Sequence, residues 1–140
     1  MTKNKQIRWF ETLEMQDVAV VGGKNASIGE MTRALAPNGI LVPQGFAVTA
    51  EAYWHVLEAN DLKDVISGHL SDYRGGRISL EEAGLAIRSH LSKATIPNDL
   101  QAEIVDAYRE HSMRYRTTDA DVAVRSSATA EDLPDASFAG

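Results

Sequence analysis

The stretch that most restricts this chain is Val124 to Gly140, VRSSATAEDLPDASFAG, where an arginine leaves a short apolar run and three serines, a threonine and a glycine follow among alanines. Small side chains let a main chain approach a ligand closely, and arginine supplies a planar, permanently charged fork. Such a segment can wrap backbone N–H groups and one guanidinium around an anion, and phosphate is the obvious candidate. Ahead of it, Val122 to Val124 is brief and apolar with two β-branched valines, which predicts a buried strand ending at Arg125. Strand ends in mixed α/β folds are where the backbone leaves the sheet and side chains point into a crevice. A cation buried there needs a partner. Either an anion supplies it, or a structural ion pair with Glu131, Asp132 or Asp135 does.

A second candidate lies 101 residues upstream, at Lys24. Val18 to Val21 is a continuous apolar run closed by Gly22-Gly23, where missing Cβ atoms permit a tight turn. From Lys24 onward, Ile28, Met31 and Leu35 share one helical face, and Pro37-Asn38-Gly39 supplies a stop. The Lys24 ammonium and the unpaired N–H groups of that first turn can meet the same anion. This is not the GxxxxGK[ST] phosphate loop: no glycine stands at the upstream spacing, and Asn25 replaces the hydroxyl residue. Taken alone, GGK equally suits a solvated helix start.

Elsewhere, Ile7 to Phe10 reads as a first strand or extended segment, and Ile40 to Val42 and Phe46 to Thr49 as extended segments about a Pro43-Gln44-Gly45 turn. Thr49 is placed to cap a helix carrying Tyr53, Val56 and Leu57, and the spacing continues through Leu62, Val65, Ile66, Leu70 and Tyr73 until Arg74-Gly75-Gly76-Arg77 breaks it. Ser79 with Glu82 is a capping box opening a helix whose buried face is Leu80, Ala83, Gly84, Ile87 and Leu91. A last helix aligns Leu100, Ile104, Ala107, Tyr108 and Tyr115. The middle of the chain, 51–116, is thus mainly helical.

A net charge of −6 with scattered basic residues argues against a nucleic-acid footprint. The absence of cysteine excludes disulfide scaffolds and thiolate metal sites and suits a cytoplasmic setting. No apolar run near the N-terminus is long enough for a signal peptide or membrane span. By length alone, 140 residues suit a single domain.

Three blocks in order, VGGKNASIGEM (Val21 to Met31), VPQGFAVTAEAY (Val42 to Tyr53) and VRSSATAEDLPDASFAG, resemble the N-terminal part of the phosphoenolpyruvate synthases, or pyruvate, water dikinases, and the resemblance runs over essentially the whole chain. It implies an α+β fold with a helix-rich middle: residues 1–140 as the truncated N-terminal part of an ATP-grasp-like nucleotide-binding domain of the pyruvate phosphate dikinase type. Members of that family also carry a mobile phosphohistidine domain and a pyruvate-binding barrel. They convert ATP, pyruvate and water into phosphoenolpyruvate, AMP and phosphate.

By that resemblance, Lys24 and Arg125 contact the ATP phosphates, with Arg125 stabilising transition-state charge. Ser137, Phe138, Ala139 and Gly140 begin the loop that closes over the phosphates, although Phe138 equally suits an anchor seating that loop. Ser126, Ser127, Thr129 and Ser137 offer hydroxyls that serve either the ligand or a turn. The Mg²⁺ ligands are expected beyond Gly140, so no metal ligand is assigned within the chain. The implied partners are ATP, pyruvate, the phosphohistidine domain in cis and, for the parent enzyme, further copies of itself. The phosphohistidine belongs to a later domain, so His55, His69, His90 and His111 are expected in ordinary surface or rim packing. Asp17, Glu30, Glu131, Asp132 and Asp135 read as capping, loop-fixing or solvated groups. A rifampin phosphotransferase-like relative shares this kind of domain and differs in the phosphoryl acceptor. A different reading is a non-catalytic module with weak anion binding.

Overall fold

Bulky residues at Ile7 and Trp9 suit a strand, and β1 (Ile7–Trp9) runs antiparallel to β2 (Phe46–Val48), placing Ile7 opposite Val48, Arg8 opposite Ala47 and Trp9 opposite Phe46. The Trp9 and Phe46 rings meet edge to face at 5.5 Å, a cross-strand aromatic pair of the kind that stabilises such ribbons. The computed structural model describes residues 6–130, which divide into two compact units: one from residues 6–52 and 99–130, the other spanning Tyr53–Asn98.

In the first unit, 3₁₀ turns at Phe10–Thr12 and Met15–Asp17 lead to α1 (Val18–Val21), a single turn, and then α2 (Gly23–Leu35). Leu13, Val21, Ala26 and Ala47 form the core, with Phe10, Val18 and Val20 packed against it. The buried stripe of α2 differs from the expected one: Gly23, Ala26 and Gly29 are buried, while Met31 is 44% exposed. The reason is steric. A Cβ on Gly29 would lie 2.5 Å from the Leu13 carbonyl oxygen and 2.6 Å from Leu13 Cβ, so the helix backbone rests on the preceding turn and leaves no room for large side chains.

A 3₁₀ turn at Ala36–Asn38 with Gly39 in the left-handed region (φ 75°) ends α2 at the expected stop. Ile40 to Val42 forms no strand, and Leu41 is 96% exposed, because no strand among the described residues runs beside it. Thr49 caps α3 (Ala50–Ala59) as expected: its Oγ1 accepts from Ala52 N at 3.3 Å, and its own N–H donates to the Gln6 carbonyl at 2.9 Å.

The last helix, α6 (Asn98–Arg114), buries Leu100, Ala107, His111 and Ser112. Tyr115 falls beyond its end, half exposed, and its hydroxyl accepts from Gln44 N at 3.2 Å. Arg114 stacks 3.7 Å from the Trp9 ring centroid and pairs with Glu11 at 2.7 Å and Glu110 at 2.6 Å, holding the end of α6 on β1. The expected buried strand at Val122 to Val124 is absent, with Val124 92% exposed. Among the described residues neither edge of the two-stranded β1–β2 sheet pairs with it, and without a ladder its valines lack the cover of a sheet.

The second unit holds most of α3 together with α4 (Leu62–Arg74) and α5 (Leu80–Leu91), and buries Leu57, Leu62 and Ala83. Asn60 ties the α3–α4 corner to the segment after α5: its amide nitrogen donates to the Val56 and Thr95 carbonyls, both at 2.8 Å, and its oxygen accepts from Thr95 N at 2.9 Å. Ala83 is the buried position of α5, whereas Leu80 opens the helix at its first turn and is 66% exposed; Ile87 and Leu91 are half-buried.

The expected capping box is formed, with Glu82 N donating to Ser79 Oγ at 3.1 Å and Ser79 N to Glu82 Oε2 at 2.7 Å. Ser79→Ala should therefore lower stability by about 1 kcal/mol in denaturant unfolding. The backbone hydrogen bond from Ser79 holds the Glu82 carboxyl below its ordinary value of 4.5. Its contribution is fully present above that pH and lost as pH falls through the depressed value, and Glu82→Gln should abolish that part of the acid dependence. Among the described residues no helix is long and apolar enough to cross a membrane.

Candidate functional site

The turn between α1 and α2 is built on Gly22, whose backbone sits at φ 81° and ψ 158°, a region that side chains other than hydrogen rarely tolerate. Gly22 N closes α1 onto the Val18 carbonyl at 2.8 Å, and the Gly22 carbonyl accepts from Ala26 N at 3.1 Å to open α2. One residue thus ends one helix and starts the next. Among the described residues no side-chain oxygen caps the start of α2. Asn25, in the first turn, turns back instead and donates from Nδ2 to the Val21 carbonyl at 2.7 Å. Lys24 is exposed on the same turn, so its charge and the first-turn N–H groups share one end of the helix.

Against this turn lies the segment after α6. Ser127 Oγ donates to the same Val21 carbonyl at 2.8 Å, across 106 residues of sequence. A Cβ on Gly22 would stand 2.4 Å from Ser127 Oγ and 2.8 Å from the Ala128 carbonyl oxygen. The two blocks singled out in the sequence are therefore in van der Waals contact, and smallness on both sides permits it. Arg125 and Ser126, just upstream of Ser127, are exposed. Arg125 thus leaves an exposed segment rather than the end of a buried strand, and its charge carries no burial cost that a partner must offset.

The sequence leaves the Ser127 hydroxyl to serve either a ligand or a turn. Its observed role is to bridge the two blocks through a backbone carbonyl. The signal that could have revealed it was the matched smallness of Gly22-Gly23 and Ser126-Ser127-Ala128, since two backbones can approach closely only if neither carries bulk. Ser137, Phe138, Ala139 and Gly140, with Glu131, Asp132 and Asp135, lie outside the described residues.

The remaining carboxylates near the site are engaged as expected: Asp17 accepts from Glu14 N at 2.9 Å and from Arg8 at 3.2 Å, and Glu30 pairs with Arg33 at 2.7 Å. Arg33 also reaches Glu14, and these two carboxylates raise its pKa above the ordinary arginine value. His111 departs from the expected surface packing. It is 5% exposed because the face of α6 that carries Ala107 turns it inward, its ring centroid lies 4.9 Å from that of Tyr115, and among the described residues its Nδ1 has no hydrogen-bond partner. No group of three His, Asp or Glu side chains among the described residues is arranged to hold a metal.

A helix start beside an exposed lysine thus lies against the small-residue segment that carries Arg125. The chain belongs to the family described as pyruvate phosphate dikinase, AMP/ATP-binding domain, whose model matches residues 18–140. It is similar to the phosphoenolpyruvate synthase of Helicobacter pylori, with 50% identity over 137 residues that cover 97% of this chain and 17% of that protein. The Aquifex aeolicus phosphoenolpyruvate synthase is 45% identical over 135 residues, covering 96% of this chain and 16% of the relative. That of Pyrococcus furiosus is 40% identical over 167 residues, covering 96% and 20%. The chain thus spans about a sixth of the length of the first two relatives.

Proposed function

We propose that this chain supplies the ATP-phosphate-binding part of a phosphoenolpyruvate synthase. The observation that carries the reading is the contact of Gly22 with Ser127 and Ala128, which joins the Lys24 helix start to the Arg125 segment. Phosphoenolpyruvate synthases among the relatives, similar over nearly the whole of this chain, support it.

On this reading the domain is ATP-grasp-like and works in a cytoplasmic enzyme. ATP transfers its β,γ-diphosphate to a histidine on a mobile domain of the same protein, releasing AMP. Water then removes the terminal phosphate, and the remaining phosphoryl group passes to pyruvate to give phosphoenolpyruvate. Lys24, Arg125 and the first-turn amides of α2 hold the phosphates in line and neutralise the charge that develops as the bond to AMP breaks. Ser127 positions the two cationic blocks, and the loop beginning Ser137, Phe138, Ala139, Gly140 closes over the nucleotide. Mg²⁺ would accompany the nucleotide, with its ligands expected beyond Gly140.

Calorimetric titration of Mg·ATP should give saturable binding that Lys24→Ala and Arg125→Ala each weaken at least about tenfold. In a complete enzyme carrying this segment, Arg125→Ala should slow phosphohistidine formation from ATP by about 100-fold or more. Normal phosphohistidine formation in that variant would remove Arg125 from the site, whatever the titration gives.

A further inference from the structure

The helical unit Tyr53–Asn98 contains neither phosphate-site block, yet it brings two metal-ligating side chains together. His69 on α4 and His90 in the last turn of α5 lie with ring centroids 5.7 Å apart and planes inclined at 36°. Their helices pack directly on each other. His69 is half-buried and His90 exposed, so an ion and its waters can reach both. Among the described residues no hydrogen bond joins the two rings, and no carboxylate completes a three-ligand group with them.

We propose that His69 and His90 form a two-imidazole site for a borderline divalent metal, Zn²⁺ or Ni²⁺, that clamps α4 to α5. The spacing carries the argument. An imidazole nitrogen binds Zn²⁺ at about 2.0–2.1 Å, which puts the ion about 3.2 Å from each ring centroid. Two rings on one ion then stand about 4.5 Å apart at a right-angled N–metal–N arrangement, about 5.2 Å at the tetrahedral angle and about 6.4 Å in line. The observed 5.7 Å falls inside that window. Two neutral imidazoles select Zn²⁺, Ni²⁺ or Cu²⁺ over the oxygen-seeking Mg²⁺ and Ca²⁺, and water fills the remaining positions. With two protein ligands the ion is exchangeable, unlike a closed structural zinc site.

The test is calorimetric titration of ZnCl₂ and NiCl₂ into the tag-free chain, with MgCl₂ as the oxygen-seeking control. One Zn²⁺ per chain should bind in the micromolar range. His69→Asn and His90→Asn should each weaken it at least tenfold, while His55→Asn leaves it unchanged. Amide deuterium exchange should slow in both α4 and α5 when Zn²⁺ is added to the wild-type chain. Circular dichroism of the His90→Asn variant should match the wild type, since that side chain is exposed. Absence of saturable Zn²⁺ binding at millimolar metal, or binding that survives both substitutions, overturns the proposal.

Discussion

Replacing Gly29 with alanine should cost this protein about 3 kcal/mol of stability, one of the two largest effects expected of a single methyl group here. The usual consequence of such a change in a helix interior is the opposite, since alanine is favoured over glycine by about 1 kcal/mol. At Gly29 the new Cβ would meet the Leu13 carbonyl oxygen at 2.5 Å, Leu13 Cβ at 2.6 Å and the Phe10 carbonyl oxygen at 2.8 Å. Two of those three atoms are backbone, so no rotamer change relieves the overlap, and the whole 10–13 turn must move off α2. That motion opens the core at Leu13, which is fully buried. Gly68 in α4 is the control: nothing lies within 4 Å of its added Cβ, and Gly68→Ala should stabilise by about 1 kcal/mol. Denaturant midpoints that shift in the same direction for both variants would contradict the close approach of α2 to the 10–13 turn.

Gly22→Ala should be as damaging to folding, by about 3 kcal/mol, and should also cut nucleotide binding. Two effects add. The backbone at φ 81° and ψ 158° is strained for any residue with a Cβ, and that Cβ would meet the Ala128 carbonyl oxygen at 2.8 Å as well as Ser127 Oγ at 2.4 Å. Either Gly22 leaves its conformation, losing the shared end of α1 and α2, or the 127–128 segment is pushed away together with Arg125. Ser127→Ala separates these consequences. It removes one hydrogen bond to a carbonyl that still accepts from Asn25, so it should cost about 1 kcal/mol and leave the turn intact. Unfolding of all three variants, with ATP affinity measured alongside, checks the ordering. A Gly22→Ala protein as stable as Ser127→Ala would show that the two blocks do not touch as described.

Much of the architecture was legible because local chemistry decides it. The Ser79–Glu82 box, the Thr49 cap, the Pro37-Asn38-Gly39 stop and the helices of the middle depend on neighbours within a few residues, and each formed as expected. The readings that failed depended on what lies across space. Periodicity placed Ile28, Met31 and Leu35 on the inner face of α2, but a backbone packed on backbone selects Ala26 and Gly29, and periodicity gives no weight to a missing side chain. The two valines of Val122 to Val124 have strand propensity, yet a strand exists only beside another, and none among residues 6–130 flanks it. His111 fell on the same helical stripe as Ala107, a position that its polarity concealed. Lys24 and Arg125 stand out in the sequence by charge, while the contact uniting their segments is carried by residues with almost no side chain at all.

That contact has a genetic consequence. Loss of the Ser127 hydroxyl or the Asn25 amide, as in an alanine substitution, leaves room for second-site rescue, because what is lost in each case is a hydrogen bond that another side chain can replace or forgo. A substitution at Gly22 has no comparable escape: shrinking Ser127 to glycine would clear the 2.4 Å overlap but not the 2.8 Å overlap with the Ala128 carbonyl, an atom every amino acid carries. A screen for intragenic suppressors should therefore recover compensating pairs around Ser127 and only true revertants at Gly22.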